Sequence, residues 1–132
     1  MKKSAKKTKI QTLDEVFSKF IRLQGTDNGF NTCFTCGKRL HWKQLQCGHY
    51  ISRRHNSLRF DPKNCKPQCT ECNCFKNGNL EAYKQNLIRH FGIAHIWYLE
   101  EKKNEEKSWS DAELDILIAH YRGKVRGMEK FL

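Results

Sequence analysis

The chain has 132 residues, 38% of them hydrophobic, enough for one domain around a thin core that a metal staple would help. No apolar run approaches the length of a membrane span, and the net charge of +11 points to a polyanionic partner. Seven cysteines is an odd number and no apolar signal segment follows Met1-Lys2-Lys3, which argues against a secreted disulfide scaffold and for metal-binding thiols in a reducing compartment.

The charge is placed unevenly. All of its positive excess lies in residues 1–78, whereas residues 79–132 carry as many acids as bases. The basic half is also the half framed by cysteine pairs, which favours nucleic acid as the partner over a plain solubility charge or an anionic membrane surface.

Residues 1–11 are rich in lysine, lack acids, and read as a disordered basic arm that either adds salt-sensitive phosphate contacts or has no specific role. An amphipathic helix is expected over 12–24. Thr12 and Glu15 have capping-box spacing, and Leu13, Val16, Phe17, Phe20 and Ile21 share one face. Gly25-Thr26-Asp27-Asn28-Gly29 ends it.

Cys33-Phe34-Thr35-Cys36, followed by Gly37, has the form of a zinc knuckle. Leu40 to Ser52 reads as β, Ser52 to Ser57 as a loop, and Leu58-Arg59-Phe60 as a short second strand. Asp61-Pro62-Lys63-Asn64 then turns the chain toward a second knuckle, Cys69-Thr70-Glu71-Cys72-Asn73, with Asn73 at or just inside a short helix beginning near Cys69. Asn79 is placed to cap a helix from Leu80 to about Phe91, which Gly92 ends. A further helix follows from Ile93 to about Lys103. Ser110 and Glu113 open another, with Leu114, Leu117, Ile118, Tyr121 and Val125 along one stripe. That stripe can pack on its own domain or meet a second copy in a homodimer. The order of helix, β-metal unit and helices makes a single α+β domain over 12–132, with a core at 33–79 and a helical part at 80–132.

Two C-x-x-C pairs are the strongest chemical signal. Four thiolates at this spacing suit a closed, tetrahedral structural Zn²⁺ on Cys33, Cys36, Cys69 and Cys72. Cys65 or Cys74 could replace a neighbour, but only the chosen four repeat the x-x turn. Cys47, Cys65 and Cys74 otherwise read as small buried hydrophobes. His49 is the candidate base: phosphodiester hydrolysis needs a water made nucleophilic, and a neutral imidazole takes that proton near pH 7. Asn73 offers a hard amide oxygen of the type a divalent ion accepts, or else a helix cap. Asn64 either orients a loop near His49 or is a plain turn residue. Arg53, Arg54 and Arg59 are close to His49 in sequence and are candidate DNA contacts, or else a solvated basic loop.

Taken together, His49, Asn64 and Asn73, separated by 15 and 9 residues and set within the cysteine frame, resemble the HNH (ββα-metal) nuclease superfamily in its zinc-knuckle form. Gly48-His49-Tyr50-Ile51-Ser52-Arg53, Leu58-Arg59-Phe60, Asn64, Gln68-Cys69, Cys72-Asn73 and Gly78-Asn79, with the preceding Phe20-Ile21-Arg22, are more closely similar to the phage lambda NinG (Rap) recombination family. The resemblance implies a small zinc-stabilised ββα-metal core flanked by helices. It also implies a metal-dependent DNA endonuclease acting on branched, Holliday-junction-like intermediates, encoded by a phage or prophage and working in the bacterial host cytoplasm.

In that reading His49 is the general base, Asn73 ligates a catalytic Mg²⁺ or Mn²⁺, Asn64 holds the hairpin that aims His49, and zinc is structural only. Many HNH enzymes carry an Asp before the base as a second metal ligand. This chain has Gly48 there, and His55 and Asp61 are the nearest candidates to replace it. Two alternatives stay open: a zinc-dependent nucleic-acid-binding module without catalysis, and an HNH enzyme of restriction or mobile-element type cutting linear duplex.

Overall fold

The structure, a computed structural model, describes residues 7–132, and the first six residues of the expected basic arm lie outside these. Helix α1 (Lys9–Leu23) starts one turn earlier than the Thr12–Glu15 pattern suggested, so residues 9–11 of the expected arm are helical. Thr8 is the N-cap. Its hydroxyl accepts from the Gln11 N–H, and the Gln11 side chain accepts from the Thr8 N–H. Ile10 packs on the same core as Leu13 and Phe17, which favours the longer helix.

Strands β1 (Phe30–Thr32) and β2 (Arg39–His41) pair antiparallel and carry the first knuckle at their tip. The expected β stretch from Leu40 to Ser52 is broken by a 3-10 turn at Trp42–Gln44, which buries the Trp42 ring under α1. It resumes as β3 (Gln46–His49). The partner of β3 is β4 (Cys65–Gln68), with Gln46 opposite Gln68 and His49 opposite Cys65.

Leu58-Arg59-Phe60 is therefore not the second strand. Asn56–Arg59 forms a short helix, α2, within the β3–β4 connection. The carbonyls of Leu58 and Arg59 are bonded by the side chains of Asn64 and His49, so they join no ladder. After β4 the chain turns through a one-turn π-helix at Glu71–Phe75, which carries Asn73.

Helices α3 (Leu80–Phe91), α4 (Ile93–Lys102) and α5 (Asp111–Glu129) follow as expected, and Ser110 and Glu113 form the predicted capping box. The stripe of α5 is occupied within the chain. Leu114, Ile118, Tyr121 and Val125 are buried with Leu13, Phe17, Phe20 and Ile21 of α1, and the Phe17 and Tyr121 rings meet edge-on at 5.1 Å. That surface is thus not free to meet a second copy. A second cluster joins Leu58 to Tyr83 and Leu87 of α3 and Ile96 and Leu99 of α4. The β3–β4 hairpin lies between the two clusters, with α1 on the face that bears Cys65. Among the described residues no helix is long and apolar enough to cross a membrane.

Candidate functional site

The two knuckles converge. The sulfurs of Cys33, Cys36, Cys69 and Cys72 all lie within 4.8 Å of one another, a donor set compatible with tetrahedral zinc. Each knuckle is a turn in which backbone N–H groups face sulfur or close the loop. Cys33 N–H donates to the Lys38 carbonyl, Gly37 N–H to the Cys33 carbonyl, and Cys72 N–H approaches Cys69 Sγ at 3.5 Å. Burial pushes the Cys33 thiol up, but the Thr35 hydroxyl and backbone amides outweigh it and bring the pKa down to about 6. Burial, and then the three neighbouring sulfurs, push Cys36 up to about 12 against the Lys38 amide. Four thiolates cannot all be charged at this spacing unless a cation shares the site, and a dication supplies it. Asn79, expected as a side-chain cap for α3, instead sits in the left-handed region and points its amide at Cys72 Sγ.

His49 ends β3. Its Nε2 lies 2.9 Å from the Arg59 carbonyl oxygen. A carbonyl only accepts, so Nε2 carries the proton and the lone pair of the neutral ring is on Nδ1. Burial lowers the His49 pKa from its ordinary value. The Arg59 carbonyl and Asp14 oppose that shift, and the Arg53 and Arg59 charges add to it. The ring is therefore neutral at pH 7.

The loop that carries the Arg59 carbonyl is tied down one residue earlier, at Leu58, by Asn64, which is fully buried. Asn64 Oδ1 accepts from the Ile51 N–H at 2.8 Å, and its Nδ2 donates to the carbonyls of Ile51 at 2.9 Å and Leu58 at 3.3 Å. One side chain thus closes the long loop between the two strands of the hairpin.

His49 opens into a cavity of about 600 Å³ that it shares with Asp14, Arg53 and Asn73. Asn73 Nδ2 donates to Gln46 Oε1 at 2.7 Å, which fixes the amide orientation and leaves Oδ1 as its acceptor. Arg53 is mostly exposed and its guanidinium comes within 3.9 Å of Asp14.

Asp14 is the residue that sequence reasoning missed. It is the only carboxylate among the described residues lining the cavity. It projects from α1, far from the cysteine frame in the chain, and takes a two-pronged bond from Arg59 Nε and Nη2. An acid among the hydrophobic positions of α1 was the one available signal. Position 48 itself has no room for an acid. A Cβ at Gly48 would overlap the side chain of Gln68, which is fully buried and tied to Thr35 Oγ1 and the Gly78 carbonyl.

The chain matches the family model described as Bacteriophage Lambda NinG protein over residues 1–131. The chain belongs to the NinG family. Among curated NinG proteins it is 32% identical to that of Salmonella phage P22 and 31% to that of Escherichia phage 933W, in each case over 90% of this chain and 57% of the relative. It is 30% identical to that of Escherichia phage lambda, over 90% of this chain and 56% of the relative. The chain spans a little over half the length of these NinG proteins. No solved structure matches it.

The remaining expected site residues of this NinG-family chain are dispersed. Asp61 is not in the cavity. Its carboxylate accepts from the Tyr98 hydroxyl at 2.6 Å, Lys102 Nζ at 3.0 Å and the Lys63 N–H at 2.9 Å, and so ties the loop to α4. His55 precedes α2 and, with Arg54, borders a separate surface hollow beside residues 103–108. Neither His55 nor Asp61 lines the cavity beside His49. The Arg59 guanidinium is paired with Asp14 rather than free for DNA, and it is the Arg59 backbone that serves His49.

Proposed function

We propose that this NinG-family chain is a metal-dependent DNA endonuclease of the HNH (ββα-metal) type that hydrolyses phosphodiester bonds in branched recombination intermediates. The observation that carries the reading is the state of His49: a neutral imidazole, held by Nε2 on the Arg59 carbonyl, with Nδ1 free as a base beside an open, arginine-bearing cavity. The order of a short hairpin ending in His49, a loop clipped by Asn64, and a helical turn bearing Asn73 supports it.

In this reading His49 Nδ1 takes the proton of the water that attacks phosphorus. Arg53 binds the phosphate and offsets its developing negative charge. Asn64 is a positioning residue. Zinc on the four knuckle cysteines is structural, because that set leaves no open coordination position.

Asn73 Oδ1 and the Asp14 carboxylate are hard oxygen donors that both line the cavity, and they suit Mg²⁺ or Mn²⁺ that keeps most of its water. When bound, such an ion polarises the phosphate. The DNA partner, its branched form, and action in the host cytoplasm follow from the NinG resemblance and the basic half of the chain.

The test is cleavage of four-way junctions, forks and linear duplex in Mg²⁺ or Mn²⁺. Wild type is expected to cut, and His49→Ala to lose about 10²-fold or more. Equal rates for the two proteins overturn the assignment. Preference for linear duplex would identify an enzyme of restriction type. Tight junction binding with no cutting in any metal would identify a non-catalytic binding module, the reading that Gly48 and the Arg59-paired Asp14 favour.

A further inference from the structure

Three chemically active side chains outside the knuckles meet on one face of the β3–β4 hairpin. His49 lies directly opposite Cys65, and Cys47 lies one pair along, opposite Pro67. Residues 47 and 49 project to the same side of β3, so both reach the Cys65 side. The ligand atoms of Cys47, His49 and Cys65 all lie within 4.8 Å of one another. Cys65 is fully buried under α1, whereas Cys47 and His49 also line the cavity. With Nε2 on the Arg59 carbonyl, the imidazole nitrogen left for a metal is Nδ1.

We propose that Cys47, His49 and Cys65 form a second metal site, a two-thiolate, one-imidazole set for Zn²⁺ whose fourth position opens on the cavity. The donor chemistry selects the ion. Thiolates and imidazole suit Zn²⁺, whereas Mg²⁺ and Mn²⁺ take oxygen donors. Three protein ligands with one open position is the form of an accessible zinc centre, unlike the closed four-sulfur knuckle. Binding releases the two thiol protons to solvent and leaves the metal at +2.

The site also regulates. It rests here on the reading of His49 as base: a zinc ion on Nδ1 takes the lone pair that would accept the water proton. Zinc therefore inhibits hydrolysis, and does so in competition with nothing held by Asn73 or Asp14. Loss of even an outer partner of a metal ligand costs about 10- to 100-fold in affinity, so loss of a direct thiolate costs at least that.

The experiment is Co²⁺ or Zn²⁺ loading of the full chain, reading metal per chain and the sulfur-to-cobalt absorption. Wild type is expected to bind two ions, and Cys47→Ser and Cys65→Ser one each, with the knuckle signal kept. Cys47 is only partly buried, so Cys47→Ser reads the site even if Cys65→Ser does not fold. One ion in wild type, or two in Cys47→Ser, overturns the site. Stoichiometry is blind to catalysis, so a chain that binds two ions and cuts no DNA refutes the nuclease reading alone. In the cleavage assay with excess Mg²⁺, zinc should inhibit Cys47→Ser at least about tenfold more weakly than wild type. Equal inhibition overturns the regulatory role.

Discussion

Asn64 clips the loop whose Arg59 carbonyl meets His49, and replacing its amide by a carboxyl tests that clip with almost no change of shape. In Asn64→Asp one oxygen still accepts from the Ile51 N–H, but the second faces the Ile51 and Leu58 carbonyls, where an NH₂ group now donates. The site is fully buried, so an ionised carboxylate there would be unpaired. The variant folds best by keeping a proton, which restores one donor. Holding it at pH 7 against an unfolded-state pKa of about 3.9, at 1.36 kcal/mol per unit, costs about 4 kcal/mol.

The sign follows from proton uptake. The folded variant binds a proton that its unfolded chain lacks above pH 4, so its stability deficit relative to wild type shrinks as pH falls, by about 1.4 kcal/mol per unit between pH 7 and 4. Asn64→Ala instead loses three bonds and some packing, about 2–4 kcal/mol, with no such slope. Urea unfolding of the three zinc-loaded proteins at several pH values measures both. An Asn64→Asp protein as stable as wild type at pH 7, or a deficit that does not change with pH, would refute the clip.

Further outcomes are expected at neighbouring positions. Gly48→Ala places a Cβ against the immobile Gln68 side chain and should cost about 1–3 kcal/mol by thermal melting; Gly48→Asp should fail to fold rather than gain activity. Asp14→Asn removes a negative charge that favours the imidazolium, so the His49 pKa falls and the acid limb of kcat/KM moves to lower pH; an upward move would contradict the geometry. The same change breaks the pair with Arg59 and should lower stability by about 1–3 kcal/mol in denaturant. Chelation that strips the knuckle metal should lower the melting temperature by roughly 10 °C or more, because metal binding there is part of the folding free energy. Unchanged melting with the metal removed would exclude that role.

Much of the local structure was legible because its signals are short-range. The C-x-x-C turns, the stripe on α5 and its Ser110–Glu113 box each lie within a few residues and need no partner to be recognised. The start of α1 was misjudged because two cap patterns lay four residues apart, and only packing of Ile10 on the core favoured the earlier one. Leu58-Arg59-Phe60 resembled a strand in composition, yet two side chains from elsewhere took its carbonyls.

Residue types and spacing along the chain determined the zinc-competent frame, the basic half, and the choice of His49, Asn64 and Asn73. These are properties of ligand chemistry and charge, which do not depend on the path of the backbone. Tertiary structure alone decided which groups share a cavity. It brought Asp14 from the first helix to His49, bound Asp61 to Tyr98 and Lys102, and drew Cys47 and Cys65 to one imidazole. Those meetings are set by strand register and by helix packing, which join residues tens of positions apart and leave no local trace in the sequence.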